Sequence, residues 1–267
     1  MLFQIASYFK FLVKSTNQHG VHSPFVYNLI TKCFYDKKQK KWYSKLINYR
    51  QLLLQSDKII EVTDFGAGSK TLKSQQRKVA TIAKNAGISI KRAKLLGRMV
   101  SYLHADTILE IGTSLGISSA AMSFGNPKSK IATLEGCPKT ADIAKTSFKH
   151  FNLSTIEVII GNFTNTLPAT LKQLSDNTTD SKDSLDLVYF DGNHQKEATL
   201  DYFEQCLPFI HNDSVFIFDD IYWSKGMQEA WTHIKKHPKV TVSIDTFYWG
   251  IVFFRKEQEK EDFVIRL

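Results

Sequence analysis

Five short apolar runs alternate with amphipathic segments from about residue 107 onward. The runs are TILEIG, KIATLEG, IEVIIG, LDLVYFDG and SVFIFDD. Short apolar runs separated by segments of helical character are typical of parallel strands joined by crossover helices. VTVSIDTF and WGIVFFR then follow too closely for a helix between them, which predicts an antiparallel hairpin. We therefore expect an α/β fold with a doubly wound sheet of about seven strands, mostly parallel, ending in that hairpin.

The first 105 residues have a different pattern. Apolar residues recur at helical spacing in FQIASYFKFLV, SPFVYNLITKCF and WYSKLINYRQLLL. A chain of 267 residues is long enough for one large domain plus an accessory region. The sequence therefore predicts a helical accessory region over 1–105, followed by the α/β domain over 106–267.

Charge is spread unevenly over the chain. Residues 1–100 contain 19 Lys and Arg against 4 Asp and Glu, a net charge of +15, whereas the whole chain has +9. Such a region can bind an acidic substrate, nucleic acid or anionic lipid, but basic helical faces are often only solvated. The same two interpretations apply to the lysines between 37 and 41, which lie among Tyr35, Trp42 and Tyr43.

The sequence has no apolar run near the roughly 20 residues that span a bilayer. The N-terminal stretch MLFQIASYFKFLVK has its lysines inside the apolar run, which is not the pattern of a signal peptide. Cys33, Cys137 and Cys206 are odd in number and lack CxxC spacing, so we expect reduced thiols. These features predict a cytoplasmic protein without a membrane span.

A glycine-bearing turn follows the first predicted strand. It runs from Glu110 through Gly112 to Gly116, and a helix is expected to begin near Ile117. Glycines let the backbone approach a ligand closely, and the first amides of a helix favour an anionic group. Glu135 ends the next predicted strand, where a carboxylate can accept hydrogen bonds from a ribose diol. A carboxylate on a surface loop is the alternative for Glu135.

The motif order resembles that of class I S-adenosylmethionine-dependent methyltransferases, which have a Rossmann-like fold. The resemblance covers roughly residues 105–255 and rests on ILEIGTSLGISSA, TLEG, IIGNF, LVYFDGNH and FIFDD. It implies that S-adenosylmethionine is the cofactor. The implied cofactor-binding residues are Glu110, Gly112 and Gly116 for the methionine part, Glu135 for the ribose, Asn162 and Phe163 for the adenine, and Asp191. The family usually has Asp at the position of Asn162.

A second glycine-rich stretch, DFGAGSK, runs from Asp64 to Lys70. No strand ending in an acidic residue follows it at the required distance, so we interpret it as a structured loop. A dinucleotide-binding fold is disfavoured because the first turn of the α/β domain lacks G-x-G-x-x-G.

Three aspartates follow the fourth and fifth predicted strands. Asp191 lies in FDGNH, and Asp219 and Asp220 lie in FDD, at carboxyl ends where an open α/β sheet has its crevice. Three converging carboxylates imply a cation or a raised pKa, and hard oxygen ligands suit Mg²⁺. The alternative for Asp219 and Asp220 is capping of the following helix.

These acids also resemble those of metal-dependent O-methyltransferases of the catechol, caffeoyl-coenzyme A and macrocin-sugar types. The resemblance implies that Asp191, Asp219 and Asp220 are metal ligands. It places His194 where the catechol and caffeoyl types have a lysine general base. Histidine exchanges protons near neutral pH and can serve as a base, so His194 and Asp191 are the candidate catalytic residues. A solvent-exposed first helical residue is the alternative for His194.

The sequence favours O-methylation of a small-molecule hydroxyl with divalent-metal assistance. A nucleic-acid methyltransferase that uses the basic N-terminal region is less favoured, because FDGNH stands where base-methylating relatives have (N/D)PP(Y/F). A non-catalytic cofactor-binding protein is the third possibility. The helical region can shape a pocket or a homo-oligomer interface. Tyr222, Trp223 and Trp249 are candidates for a substrate wall, with core packing as the alternative.

Overall fold

The computed structural model describes residues 2–63, 74–176 and 185–267. The stretch from Asp64 to Lys70, interpreted above as a loop, lies outside these residues. The strands are β1 Ile59–Glu61, β2 Gln76–Lys78, β3 Thr107–Ile111, β4 Lys130–Glu135, β5 Ile156–Ile160, β6 Leu187–Phe190, β7 Val215–Asp219, β8 Val242–Asp245, β9 Trp249–Phe253 and β10 Glu261–Val264. The α-helices are α1 Leu2–Lys14, α2 Pro24–Leu29, α3 Tyr43–Leu54, α4 Val79–Asn85, α5 Ile90–Leu103, α6 Ile117–Gly125, α7 Pro138–His150, α8 Phe163–Asp176, α9 Lys196–Cys206 and α10 Lys225–Lys236.

The main sheet confirms the predicted α/β class. Its eight strands follow the order β10-β8-β9-β7-β6-β3-β4-β5. The ladders β3–β4, β4–β5 and β6–β7 are parallel, and β9 is antiparallel to both β7 and β8. The predicted hairpin is therefore β8–β9. The sequence analysis missed β10, which pairs in parallel with β8 and occupies the sheet edge.

The chain divides into two compact units. One contains Lys37–Thr170, and the other contains Met1–Asp36 together with Leu171–Leu267. The predicted helical N-terminal region is present, and it also contains the small antiparallel β1–β2 ladder.

In the Lys37–Thr170 unit, helices from the N-terminal region pack directly on the α/β elements. Both α3 and α5 contact α6, the helix that follows the glycine-bearing turn. Helix α5 begins after Ser89, whose hydroxyl accepts a hydrogen bond from the amide of Arg92, and ends at His104 in the left-handed conformation. Its buried face includes Leu96 and Val100, four residues apart, so the helical spacing seen in the sequence produces this packing.

In the second unit, which contains Met1–Asp36 and Leu171–Leu267, the N-terminal helix α1 is joined to the C-terminal strand β10. The amide of Thr16 donates to the carbonyl of Val264 at 2.9 Å, and the amide of Arg266 donates to the carbonyl of Thr16 at 3.0 Å. These two bonds extend the β10 ladder by one bridge and fix the end of α1 against the sheet edge.

Among the described residues, none of the helices combines the length and the apolar character needed to cross a bilayer.

Candidate active site

The turn after β3 has a left-handed backbone at three positions. The φ angles are 106° at Gly112, 49° at Ser114 and 76° at Gly116. The amides of Gly112 and Thr113 both donate to the carbonyl of Leu134 at 3.0 Å, which fixes the turn to the end of β4. A non-glycine residue such as Ser114 rarely adopts this conformation, and such strain concentrates at ligand-binding sites.

Gly116 is the residue from which α6 begins. A Cβ atom added there would overlap the ring of Phe148 and lie 2.8 Å from the hydroxyl of Tyr49. That hydroxyl donates to the carbonyl of Leu115 at 2.9 Å, and Tyr49 is completely buried. Both the backbone conformation and the packing therefore require glycine at this position.

Glu135 is bound to this turn by its carboxylate. One oxygen accepts a hydrogen bond from the amide of Ser114 at 2.7 Å, and the other accepts one from the amide of Cys137 at 2.9 Å. The half-buried Glu135 thus lies at the carboxyl end of β4, beside the glycine-bearing turn. A carboxylate so placed can still accept further bonds on its remaining lone pairs.

Glu110 faces the protein interior and is completely buried. Its Oε2 atom accepts hydrogen bonds from the hydroxyls of Ser119 and Thr133, the latter at 2.7 Å. Burial raises the pKa of Glu110 to about 7, although these hydroxyls and that of Ser118 act in the opposite direction. Its Oε1 atom is buried and has no hydrogen-bond partner among the described residues.

The residues of this turn fit the group that the sequence resemblance implies. Helix α6 begins directly after this turn, and the first amides of a helix favour an anionic group such as a carboxylate. The Oε1 atom of Glu110, which has no hydrogen-bond partner among the described residues, can accept a hydrogen bond from a donor on a ligand. S-adenosylmethionine has an ammonium group, a carboxylate and a ribose diol, so its donors and its acceptor match this set.

Asn162 caps the helix that follows β5. Its Oδ1 atom accepts a hydrogen bond from the amide of Thr164 at 3.0 Å, and its carbonyl accepts from the amides of Asn165 and Thr166. Asn162 is exposed and the adjacent Phe163 is half-buried. The amide nitrogen of Asn162 takes no part in this cap and can serve as a donor to a base.

In the second unit, Asp191 and His194 form a pair after β6. The distance between Nε2 of His194 and Oδ1 of Asp191 is 3.8 Å, and the side chains are 24% and 23% exposed. The backbone is left-handed at both Asn193 and His194, so the chain turns sharply where it presents the imidazole. The structure therefore brings together the two predicted catalytic residues at a surface that a ligand can reach.

The structure does not support the predicted metal triad of Asp191, Asp219 and Asp220. Among the residues that the structure describes, no three His, Cys, Asp or Glu side chains are arranged to hold a metal ion. Asp219 lies within β7 and is only 6% exposed, whereas Asp220 follows the strand in the left-handed conformation. The described residues do not fit a magnesium site.

Residues 109–221 match the family model of a methyltransferase domain. The matched stretch contains all the predicted cofactor, metal and catalytic residues, whereas the aromatic candidates Tyr222, Trp223 and Trp249 lie outside it. No curated protein matches the sequence.

Solved structures of methyltransferases share the fold of the chain. An O-methyltransferase from Bacillus cereus in complex with SAH has 19% identity and a TM-score of 0.51, with 84% of this chain and 95% of that chain covered. The O-methyltransferase TomG from Streptomyces achromogenes, in complex with SAM, has 16% identity and a TM-score of 0.55, with 85% and 95% covered. The SAH-bound methyltransferase PaMTH1 from Podospora anserina has 13% identity and a TM-score of 0.56, with 88% and 97% covered. At these identities the likeness establishes the fold.

The sequence analysis missed some residues around the glycine-bearing turn. Tyr49 fixes the turn from α3, and Thr133 and Ser119 hold Glu110. Thr133 lies on β4, where side chains on one face of the sheet can reach a neighbouring strand, and this alternation is a usable sequence signal. Tyr49 has no such signal, because its partner lies 66 positions away.

Proposed function

We propose that the protein is an S-adenosylmethionine-dependent methyltransferase that methylates a hydroxyl group of a small molecule. The observation that supports this most strongly is the left-handed turn at Gly112–Gly116, to which the strand-end carboxylate of Glu135 is bound. That arrangement lies within the stretch that matches a methyltransferase domain. Several of the solved structures of this fold are O-methyltransferases by name, in agreement with the proposal.

The Lys37–Thr170 unit would hold the methyl donor. The first amides of helix α6 would bind its carboxylate, and the unpartnered Oε1 of Glu110 would accept a hydrogen bond from its ammonium group, directly or through water. Glu135 would accept from the ribose hydroxyls, while Asn162 and Phe163 would contact the adenine. When bound, S-adenosylmethionine supplies a methyl group on a positively charged sulfur.

His194 would act as the general base on the acceptor. The imidazole removes the proton from the hydroxyl, the oxygen forms the new bond to the methyl carbon, and the electrons of the broken carbon–sulfur bond remain on sulfur. The products are the methyl ether and S-adenosylhomocysteine, with the proton on His194. Asp191, at 3.8 Å, stabilises the resulting imidazolium. Positioning of the two reactants accounts for most of the acceleration.

Metal assistance is not a step of this mechanism, because no three His, Cys, Asp or Glu side chains among the described residues are arranged to hold a metal ion. We accordingly expect methyl transfer to persist in EDTA. Activity that disappears in EDTA and returns on addition of Mg²⁺ would contradict this part of the proposal.

A nucleic-acid acceptor is not favoured by the packing of the basic N-terminal region. Tyr43 is buried and its hydroxyl accepts from Arg98 at 3.0 Å, while the Trp42 ring packs edge-on against Tyr43 at 4.6 Å. The buried Tyr43 ring is therefore not free to stack on nucleic-acid bases.

The role of His194 can be tested against a second His–Asp pair in the same unit. His211 lies 2.9 Å from Asp186, but these residues precede β7 and β6 and so lie at the amino ends of the strands. We expect His194→Gln to lower methyl transfer from radiolabelled S-adenosylmethionine to phenolic and sugar hydroxyls by roughly 10²–10⁴-fold.

The matched variant His211→Gln should retain the wild-type rate, and both variants should bind S-adenosylhomocysteine with unchanged affinity. Equal loss in the two variants, or full activity in His194→Gln, would exclude His194 as the base.

A further inference from the structure

Asp245, the last residue of β8, is a buried carboxylate outside the proposed mechanism. It is only 4% exposed, and burial raises its pKa. A buried carboxylate is costly unless it is hydrogen-bonded, so its partners show what it does for the fold.

Three donors from three different segments converge on Asp245. The Tyr222 hydroxyl donates to Oδ2 at 2.6 Å, the Trp231 indole donates to the same oxygen at 3.3 Å, and the Phe247 amide donates to Oδ1 at 2.8 Å. Burial and the negative charge of Asp245 raise the pKa of Tyr222, so its hydroxyl remains protonated and remains a donor. Asp245 thereby ties together the β7–α10 connection, helix α10 and the β8–β9 turn.

Tyr222 belongs to the short turn that leaves the carboxyl end of β7. This turn starts at Asp220 in the left-handed conformation and closes with a hydrogen bond from the Trp223 amide to the Asp220 carbonyl at 2.8 Å. The Tyr222 ring also stacks on Phe247 at 5.2 Å, with an interplanar angle of 15°. The hydrogen bond and the ring contact both hold the turn from the side of β8.

The next residue of the turn lies beside the candidate base. The ring centroids of Trp223 and His194 are 6.3 Å apart, and His194 is in turn 3.8 Å from Asp191. Movement of the turn would therefore shift the indole ring that lies beside the imidazole. Because a catalytic base works only in a narrow range of positions, a displacement of about 1 Å can lower a rate by about 10²-fold.

We propose that Asp245 is a positioning residue for methyl transfer: it holds Tyr222, so that the turn Asp220–Trp223 keeps Trp223 against His194. This inference rests on the function proposed above. It assigns to Asp245 and Tyr222 an effect on the rate of the chemical step and not on the binding of the methyl donor, whose proposed ligands lie largely in the other unit.

Two substitutions test the link at different points. Tyr222→Phe deletes one half-buried hydroxyl and leaves Asp245 two donors, whereas Asp245→Asn keeps the shape and removes the charge. Ser243→Ala is the matched control. Ser243 lies on β8 like Asp245, but its hydroxyl is bonded to Asp262 of β10 and not to the turn. Thermal melting identifies any variant that does not fold, and Tyr222→Phe keeps the test decisive if Asp245→Asn is such a variant.

The first readout needs neither cofactor nor acceptor. The wild-type protein and each of the three variants are prepared with Trp223 and with Trp223→Phe. The difference in tryptophan fluorescence between the two forms is the signal of Trp223. We expect Tyr222→Phe and Asp245→Asn to raise the acrylamide quenching constant of Trp223 at least about two-fold, and Ser243→Ala to leave it unchanged. Unchanged quenching in both turn variants, with folding intact, would overturn the proposal whether or not the protein is a methyltransferase.

The second readout is kinetic and uses the hydroxyl acceptor with the highest turnover in the panel above. We expect kcat to fall about 10²-fold in Tyr222→Phe and Asp245→Asn, with KM for S-adenosylmethionine unchanged. A wild-type kcat in Tyr222→Phe would overturn the positioning role. Failure of the wild-type protein to bind S-adenosylhomocysteine would instead remove the proposed function and leave the fluorescence result to be interpreted on its own.

Discussion

Glu110 shows how a single residue can be found from the sequence while its orientation is not. Its position near the end of the first parallel strand follows from the run TILEIG. Its burial and its bond from Thr133, 23 positions away, depend on which face of the sheet the side chain takes. A sequence pattern specifies the strand, but contacts between strands decide what the carboxylate touches.

The pKa of Glu110 makes a prediction about stability. Because the folded protein raises this pKa from 4.5 to about 7, the folded state binds the proton more tightly than the unfolded state does. The stabilisation is therefore complete below pH 4.5 and is lost as the pH rises through 7. The shift corresponds to about 3 kcal/mol in the free energy of unfolding.

Urea unfolding at pH 5 and at pH 8 measures this contribution. We expect Glu110→Gln, which cannot ionise, to lose less stability between the two pH values than the wild-type protein does. Glu157→Gln provides the comparison, since Glu157 is exposed on β5 and should leave the wild-type pH dependence intact. The same pH dependence in wild type and Glu110→Gln would show that Glu110 is not the group responsible.

At the scale of elements, the glycine-bearing turn and helix α6 form the part of the site that the sequence predicted best. Strand, turn and helix follow one another where the pattern ILEIGTSLGISSA places them. The contribution of α3 could not be predicted, because the packing of Tyr49 against Leu115 joins segments that share no sequence pattern. Strand β10 was missed for a similar reason: only two of its four residues are apolar, and it pairs at the sheet edge.

Gly116→Ala tests whether this turn requires glycine. An alanine would adopt a left-handed backbone and would overlap Phe148, so we expect a loss of about 3 kcal/mol in stability and weaker binding of S-adenosylhomocysteine. Gly226→Ala is the matched variant, because an added Cβ would meet Lys196 and Ser224 only at ordinary contact distances of 3.4 and 3.7 Å. Thermal melting and calorimetry provide the two measurements. Similar stability for the two variants would contradict the packing described here.

At the scale of the whole molecule, the alternation of apolar and amphipathic segments was sufficient to predict the fold class. It was not sufficient to establish a metal site, because residue types at strand ends do not determine the directions of their side chains. Asp191, Asp219 and Asp220 have the chemistry of magnesium ligands, but the described residues do not hold them as a set. The division of the chain into an accessory region over 1–105 and a catalytic domain over 106–267 stays a prediction.

The excess of positive charge in residues 1–100 belongs to helices that also build the fold. In the Lys37–Thr170 unit, α3 and α5 pack on α6, so this region contributes to the core as well as to the surface. Removing these helices to test a binding role would therefore also remove support for α6. Substitution of exposed lysines one at a time is the informative experiment for this surface.

Titration calorimetry with S-adenosylhomocysteine is the most direct test of the central claim, which is that the turn at Gly112–Gly116 with Glu135 holds S-adenosylmethionine. We predict binding of one molecule per chain, in EDTA as well as in Mg²⁺. Glu135→Ala should weaken this binding by at least about tenfold, because hydrogen bonds to a carboxylate contribute about 1.5–3 kcal/mol. Absence of binding to the folded wild-type protein, or full affinity in Glu135→Ala, would contradict the account.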